Sequence, residues 1–85
     1  MDRTYFPSQI GLEIAKVRGL YREGHSISAI SNAMKIPEYV VRLHLDDYAR
    51  EVIYLQEEGY SLDEIANKKY VTVDFIEHLI REYPF

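Results

Sequence analysis

The chain has 85 residues, 47% of them hydrophobic and 28% charged, which suits one small globular domain and is too apolar for a disordered tail. It contains no cysteine, so disulfides and thiolate metal sites are excluded. No uncharged stretch approaches the roughly 20 apolar residues that a membrane span requires, and the N-terminus lacks the apolar core of a signal peptide. We therefore expect a cytoplasmic protein that makes no contact with membranes.

The net charge of −4 is unevenly distributed along the chain. Residues 1–50 contain seven basic and six acidic side chains, whereas residues 51–85 contain three basic and eight acidic ones. Nucleic-acid binders gain much of their affinity from Lys and Arg on phosphates. The two halves therefore cannot contact a nucleic acid in the same way.

An internal repeat is the strongest feature of the sequence. Residues 17–48 match residues 52–83 at an offset of 35. The paired positions include Leu20/Leu55, Gly24/Gly59, Ser26/Ser61, Ile30/Ile65, Asn32/Asn67, Val41/Ile76 and Tyr48/Tyr83. A repeat of this length indicates one supersecondary unit that is used twice.

The first copy follows an N-terminal arm at residues 1–7. Its apolar spacing and helix-ending residues predict three helices. The first runs from Ser8 to about Glu23 and stops at Gly24, and the second, about Ile27–Met34, is N-capped by Ser26. The third helix starts at Pro37, where proline is well tolerated.

The second copy repeats this pattern. A first helix is predicted over about Asp47–Glu58 and a second over Leu62–Lys69. Ser61 and Glu64 have the spacing of a capping box, and Thr72 is expected to cap a third helix. The positions predicted to face inward are Ile10, Ile14, Val17, Tyr21, Ile27, Ile30, Met34, Val41 and Leu45 in the first copy, then Val52, Leu55, Leu62, Ile65, Ala66, Ile76 and Ile80 in the second.

The junction between the copies is open to two interpretations. Asp46 or Asp47 can cap a new helix there, which gives six helices and two units at residues 8–46 and 47–85. Alternatively, the third helix of the first copy continues into the second copy, since no Gly or Pro lies between Pro37 and Gly59. We favour the break. The units then share one small core, whereas in the alternative they are linked by a continuous helix.

Two segments are similar to a known motif. Residues 65–79 (IANKKYVTVDFIEHL) and residues 30–41 (ISNAMKIPEYVV) resemble the helix-turn-helix of bacterial and phage transcription regulators. The resemblance implies an all-α fold of two tandem trihelical helix-turn-helix units. Family members often have Gly in the turn, where this chain has Lys35 and Tyr70, and Ser31 replaces the usual Ala.

The resemblance also implies a function in DNA binding, because the third helix of such a unit lies in the major groove. The first unit is the better candidate for this contact. The residues expected to contact DNA are Lys35, Pro37, Glu38, Tyr39 and Arg42, with Arg18, Arg22 and Arg50 on phosphates. In the second unit, Asp74 and Glu77 occupy the third helix, so we expect this unit to mediate a dimer or partner contact.

A second interpretation needs no DNA. Exposed apolar side chains on a helix are typical of protein contacts. The third helices carry a set of apolar and acidic residues suited to a partner: Tyr39, Val40, Leu43, Val73, Asp74, Phe75 and Glu77. In this alternative the protein is an adaptor or inhibitor that binds a regulatory protein such as a repressor or RNA polymerase. A homodimer is compatible with either interpretation.

Neither an enzyme nor a cofactor site is predicted. The three histidines, His25, His44 and His78, are far apart in sequence and lack the spacing of metal ligands. Ser26 and Ser28 lack the glycine pattern of a nucleophile elbow, and no phosphate-binding glycine loop is present. We therefore expect a non-enzymatic protein without cofactors.

Overall fold

The computed structural model describes residues 7–83, with side chains described from residue 11 onward. In this range the protein is all-α, as predicted, and its helices are α1 (Pro7–Arg22), α2 (Ile27–Met34), α3 (Glu38–Glu57), α4 (Leu62–Lys69) and α5 (Val73–Glu82). The predicted arm at residues 1–7 lies outside the described residues except for Pro7, which already belongs to α1.

The helices form two compact units that divide between His44 and Leu45. The first unit contains α1, α2 and the start of α3. The second unit contains the rest of α3 together with α4 and α5. In the first unit α1 packs on α2, and in the second α4 packs on α5.

The two units repeat the same local backbone geometry. Helix α2 begins at Ile27 and α4 at Leu62, so equivalent boundaries are again 35 residues apart. The N–H of His25 donates to the carbonyl of Leu20, and that of Tyr60 donates to the carbonyl of Leu55, both at 3.1 Å. The internal repeat of the sequence is therefore also a repeat of the chain path.

The predicted N-caps are confirmed. The Ser26 hydroxyl accepts from the N–H of Ala29 at 3.1 Å, and the Thr72 hydroxyl accepts from the N–H of Phe75 at 3.1 Å. Ser61 and Glu64 form the predicted capping box, since each side chain accepts from the other residue's backbone N–H. These caps satisfy N–H groups that have no partner inside the helix.

The turns after α2 and α4 reach the left-handed conformation without glycine. Lys35 and Tyr70 both have φ 58°. In the first unit, the N–H of Ile36 donates to the carbonyl of Ser31 at 3.2 Å, and the Ser31 hydroxyl donates to the carbonyl of Ile36 at 2.6 Å. Ser31 therefore holds Ile36 through both its backbone carbonyl and its hydroxyl, and these two hydrogen bonds close the turn.

The favoured break at Asp46 or Asp47 is wrong, and so is the count of six helices. Helix α3 is continuous across this point. Leu45, Tyr48 and Val52 are buried on one stripe of this helix, at spacings of three and four residues. Aspartate costs a helix interior only a few tenths of a kcal/mol, up to ~0.7 kcal/mol. Burial of the apolar stripe exceeds that cost, so the helix does not end.

Both units are closed by fully buried apolar side chains. In the first unit these are Val17, Ile30 and Val41, and in the second they are Leu45, Tyr48, Ala49, Val52, Ile65, Ala66, Ile76 and Leu79. Eight of the positions predicted to face inward are therefore buried. The others among the described side chains are half-buried, namely Ile14, Tyr21, Ile27, Met34, Leu55, Leu62 and Ile80. Ile10 lies outside the residues whose side chains are described. Among residues 11–83, the second unit has the larger set of buried apolar side chains.

Candidate functional site

The start of α3 presents an exposed mixture of basic and apolar side chains, which we call the α3 face: Lys35, Tyr39, Arg42 and Leu43. Tyr39 is 65% exposed and Leu43 is 55% exposed. Tyr39, Arg42 and Leu43 lie on one side of the helix because they are three and four residues apart. Lys35 is exposed in the turn just before the helix. This surface combines two positive charges with two large apolar groups.

Arg42 is held loosely in place by Glu38. Its Nη2 lies 3.6 Å from Glu38 Oε1, one helical turn away. The Arg42 side chain is 56% exposed, and an ion pair in such a position contributes little to stability. The guanidinium can therefore leave Glu38 for a stronger anion without unfolding the helix.

Pro37 and Val40, which were predicted to take part in binding, lie at the start of α3. Pro37 is exposed, and its carbonyl accepts from the N–H of Val40 at 3.0 Å, which starts α3. Val40 is only half-buried. Neither side chain projects as far into solvent as Tyr39.

The arginines predicted to contact phosphates do not form one group. Arg18 is half-buried on α1, and Arg22 is exposed at the last residue of that helix. Arg50 is exposed on α3 but belongs to the second unit. The structure thus brings Lys35, Glu38, Tyr39 and Arg42 together and places Arg50 elsewhere.

At the equivalent positions the second unit carries different chemistry. Tyr70, which is 92% exposed, replaces Lys35, and Glu77 replaces Arg42. Asp74 is exposed on the same helix, and Val73 is half-buried. The first unit, up to His44, has six basic and four acidic residues, whereas the second has four basic and ten acidic residues. Their formal charges are therefore +2 and −6.

The prediction that Phe75 lies on the outward face of α5 is wrong, because Phe75 is half-buried. Its ring lies 5.8 Å from the ring of Tyr48 and 6.4 Å from that of His78. Packing against Tyr48 is favoured over exposure because it removes the large apolar ring from water. Phe75 is thus part of the packing of the second unit.

The lysines of α4 are engaged within the second unit. Lys68 Nζ lies 4.6 Å from the centroid of the Tyr60 ring. Lys69 Nζ forms an ion pair with Glu51 of α3, and its side chain is largely buried. Both lysines therefore make their contacts with side chains of the same unit.

An open groove in the second unit was not predicted from the sequence. Its volume is about 450 Å³, and we call it the α5 groove; it is lined by Gln56, Leu62, Glu77, Ile80 and Arg81. Leu62 and Ile80 are half-buried and form its apolar part. Ile80 was predicted to face inward at the spacing of Ile76. Its equivalent in the sequence repeat is Leu45, which is fully buried and also belongs to the second unit. The repeat therefore predicted a buried Ile80, and its partial exposure in the groove could not be read from the sequence.

Three further observations concern metal ligands, membrane spans and similarity to known proteins. Among residues 11–83, no group of three or more His, Asp or Glu side chains is arranged to hold a metal ion. None of the described helices has both the length and the apolar character needed to cross a membrane. Comparison with protein-family models, curated proteins and solved structures finds no match to this chain.

Proposed function

We propose that this protein is a small, non-enzymatic transcriptional regulator of the cytoplasm, built from two tandem helix-turn-helix units, the first of which binds DNA. The observation that carries the proposal is the α3 face. It places Lys35 and Arg42 at exposed positions on the unit with a positive net charge. The turn geometry at Lys35 and the caps on α2 support the helix-turn-helix interpretation.

In this proposal the start of α3 enters the major groove. Arg42 donates to guanine O6 and N7, the commonest specific contact of an arginine. Tyr39 and Leu43 contact thymine methyl groups, and Glu38 accepts from cytosine N4. Lys35 binds a phosphate at the edge of the groove, and exposed Arg22 at the end of α1 is a second phosphate ligand. Glu38 releases Arg42 when the guanidinium reaches a base.

The second unit takes a different part in this proposal. Asp74 and Glu77 repel phosphates, and they stand at the positions of Tyr39 and Arg42 in the first unit. Tyr70 adds an exposed aromatic ring beside these carboxylates. We assign this surface to a protein contact, either with a second copy or with a regulatory partner.

The experiment is a fluorescence-anisotropy titration of labelled random-sequence duplex DNA at low and moderate salt. Arg42→Ala should weaken binding by about 1–3 kcal/mol, because the contact with guanine is lost. Arg81→Ala is the matched control, with the same substitution on the third helix of the second unit, and should change the affinity little. Equal losses in the two variants, or no binding by the unmodified protein, would overturn the proposal.

A second candidate function is that of an adaptor that binds a repressor or RNA polymerase without touching DNA. The exposure of Tyr39 and Leu43 favours it, since such groups are typical of protein contacts. Tyr39→Ala should then abolish partner capture that survives nuclease treatment, with helical content unchanged. Phe75→Ala is unsuitable for this test, because Phe75 packs on Tyr48 and its loss would destabilise the fold.

A further inference from the structure

The α3 face and the α5 groove each combine apolar with charged side chains. The α3 face is a convex helix surface with two large exposed apolar groups, Tyr39 and Leu43. The α5 groove is an open depression whose apolar part is formed by Leu62 and Ile80. An aromatic or aliphatic anchor in an apolar depression is the usual centre of a protein interface.

We propose that the α3 face of one copy of this chain docks into the α5 groove of a second copy. Tyr39 and Leu43 enter the groove and cover Leu62 and Ile80. This self-association goes beyond the proposed function and does not require it, because no DNA takes part in the contact. It uses the same α3 face as the proposed DNA contact, so a copy docked in this way cannot bind DNA through that face.

The order of charges along the two helices supports this pairing. Helix α3 carries Glu38 one turn before Arg42, and α5 carries Glu77 one turn before Arg81. When two such helices lie antiparallel, the Arg of each faces the Glu of the other. Arg42 then meets Glu77, and Glu38 meets Arg81. Glu77 and Arg81 line the groove itself, so both ion pairs flank the apolar contact.

The net charges favour this partner over contact between two α3 faces. Two α3 faces in antiparallel contact also match Glu38 with Arg42. That arrangement, however, brings together two units with the same charge of +2 and two copies of Lys35. The second unit has a charge of −6 and contains the α5 groove, in which an exposed side chain of the α3 face can be buried. Opposite potentials also speed association.

The test is sedimentation velocity over a wide range of protein concentrations, without DNA and at low salt. The unmodified protein should self-associate, and Arg42→Glu and Glu77→Arg should each weaken association at least about tenfold by placing like charges opposite each other. The double variant Arg42→Glu/Glu77→Arg should regain association, since the exchanged charges match again. Circular dichroism should show the same helical content throughout, because both residues are exposed.

A matched pair of tyrosine variants tests the apolar part of the contact. Tyr39→Ala should weaken association at least about tenfold, as expected for an aromatic anchor. Tyr54→Ala is the control, since Tyr54 is similarly exposed, at 58%, and does not line the groove.

Three results would overturn the proposal. The first is a protein that remains monomeric at every concentration. The second is a double variant no better than its single variants. The third is rescue of Arg42→Glu by Glu38→Arg instead of by Glu77→Arg, which would assign the contact to two α3 faces.

Discussion

The two units share a backbone but differ in charge. Lys35 and Arg42 of the first unit are replaced by Tyr70 and Glu77 in the second. Both units nevertheless have a serine N-cap and a left-handed turn at equivalent positions. The caps and the buried positions determine the chain path, since Ile30 and its equivalent Ile65 are identical and fully buried. The exposed positions have no part in that path. Their charge can therefore change sign between the units without changing the fold.

The interiors of the two units differ as well. In the first unit, His44 Nε2 lies 2.7 Å from Glu13 Oε2, and both side chains are largely shielded from solvent. The equivalent positions in the second unit are Tyr48 and Leu79, which are buried apolar groups. A polar contact between helices in one unit thus stands where the other unit has apolar packing. We expect the first unit to be the less stable of the two.

The largest effect is expected from the matched core variants Ile30→Ala and Ile65→Ala. Each should lower the free energy of unfolding by about 2–5 kcal/mol, because a buried side chain is lost and a cavity remains. Ile65→Ala should lie at the upper end, since the larger core around it collapses less. Urea denaturation followed by circular dichroism measures both. A loss below about 1 kcal/mol in either variant would contradict the assignment of these residues to the core.

The next effect distinguishes the two helix caps. Ser61→Ala should cost about 1–2 kcal/mol and Ser26→Ala about 0.5–1 kcal/mol. The difference arises because Ser61 belongs to a capping box with Glu64, whereas Ser26 has Ala29 in that place. Thermal unfolding of the two variants side by side provides the comparison. Glu64→Ala is a useful third variant, because it leaves Ser61 with the same single cap hydrogen bond that Ser26 has.

Glu13→Ala should lower the free energy of unfolding by about 1 kcal/mol, because it removes the hydrogen-bond partner of His44. The double variant Glu13→Tyr/His44→Leu, which copies the side chains of the second unit, should be neutral or more stable than the unmodified protein. Urea midpoints of the single and double variants decide this. A double variant less stable than Glu13→Ala would show that the first unit cannot accept the apolar packing of the second.

The smallest effect concerns the left-handed turns. Lys35→Gly and Tyr70→Gly should each stabilise the protein by up to about 1 kcal/mol, because glycine adopts positive φ without steric cost. The two gains should be alike, since both residues have φ 58°. Gly24→Ala is the opposite control and should destabilise. Its Cβ would meet nothing within 4 Å, so the loss there would come from the φ of 100° alone.

Much of the fold could be predicted because local signals and burial agree. Helices α2 and α4 have the predicted bounds, and Ser26, Ser61 and Thr72 cap as expected. The junction could not be predicted in this way, because Asp46 and Asp47 are good caps locally while the apolar stripe of α3 continues past them. A conflict between a local cap and a tertiary contact cannot be resolved from spacing alone.

The candidate site was only partly predictable, for a similar reason. Exposed positions of α3, such as Tyr39 and Arg42, follow from helical periodicity. Phe75 was misplaced because a helix start has few neighbours in sequence that show what covers it, and the ring of Tyr48 lies 27 positions earlier. The α5 groove depends on α3, α4 and α5 meeting in space, which periodicity does not describe.

The most direct test of the central claim is a DNA titration of two charge-reversed variants, followed by anisotropy with one labelled random-sequence duplex at fixed salt. Arg42→Glu gives this position the negative charge that its equivalent, Glu77, has in the second unit. Glu77→Arg gives the position in the second unit the positive charge of Arg42. We expect Arg42→Glu to abolish binding and Glu77→Arg to preserve or strengthen it. Unchanged binding in Arg42→Glu, or equal changes in both variants, would contradict the assignment of DNA contact to the first unit.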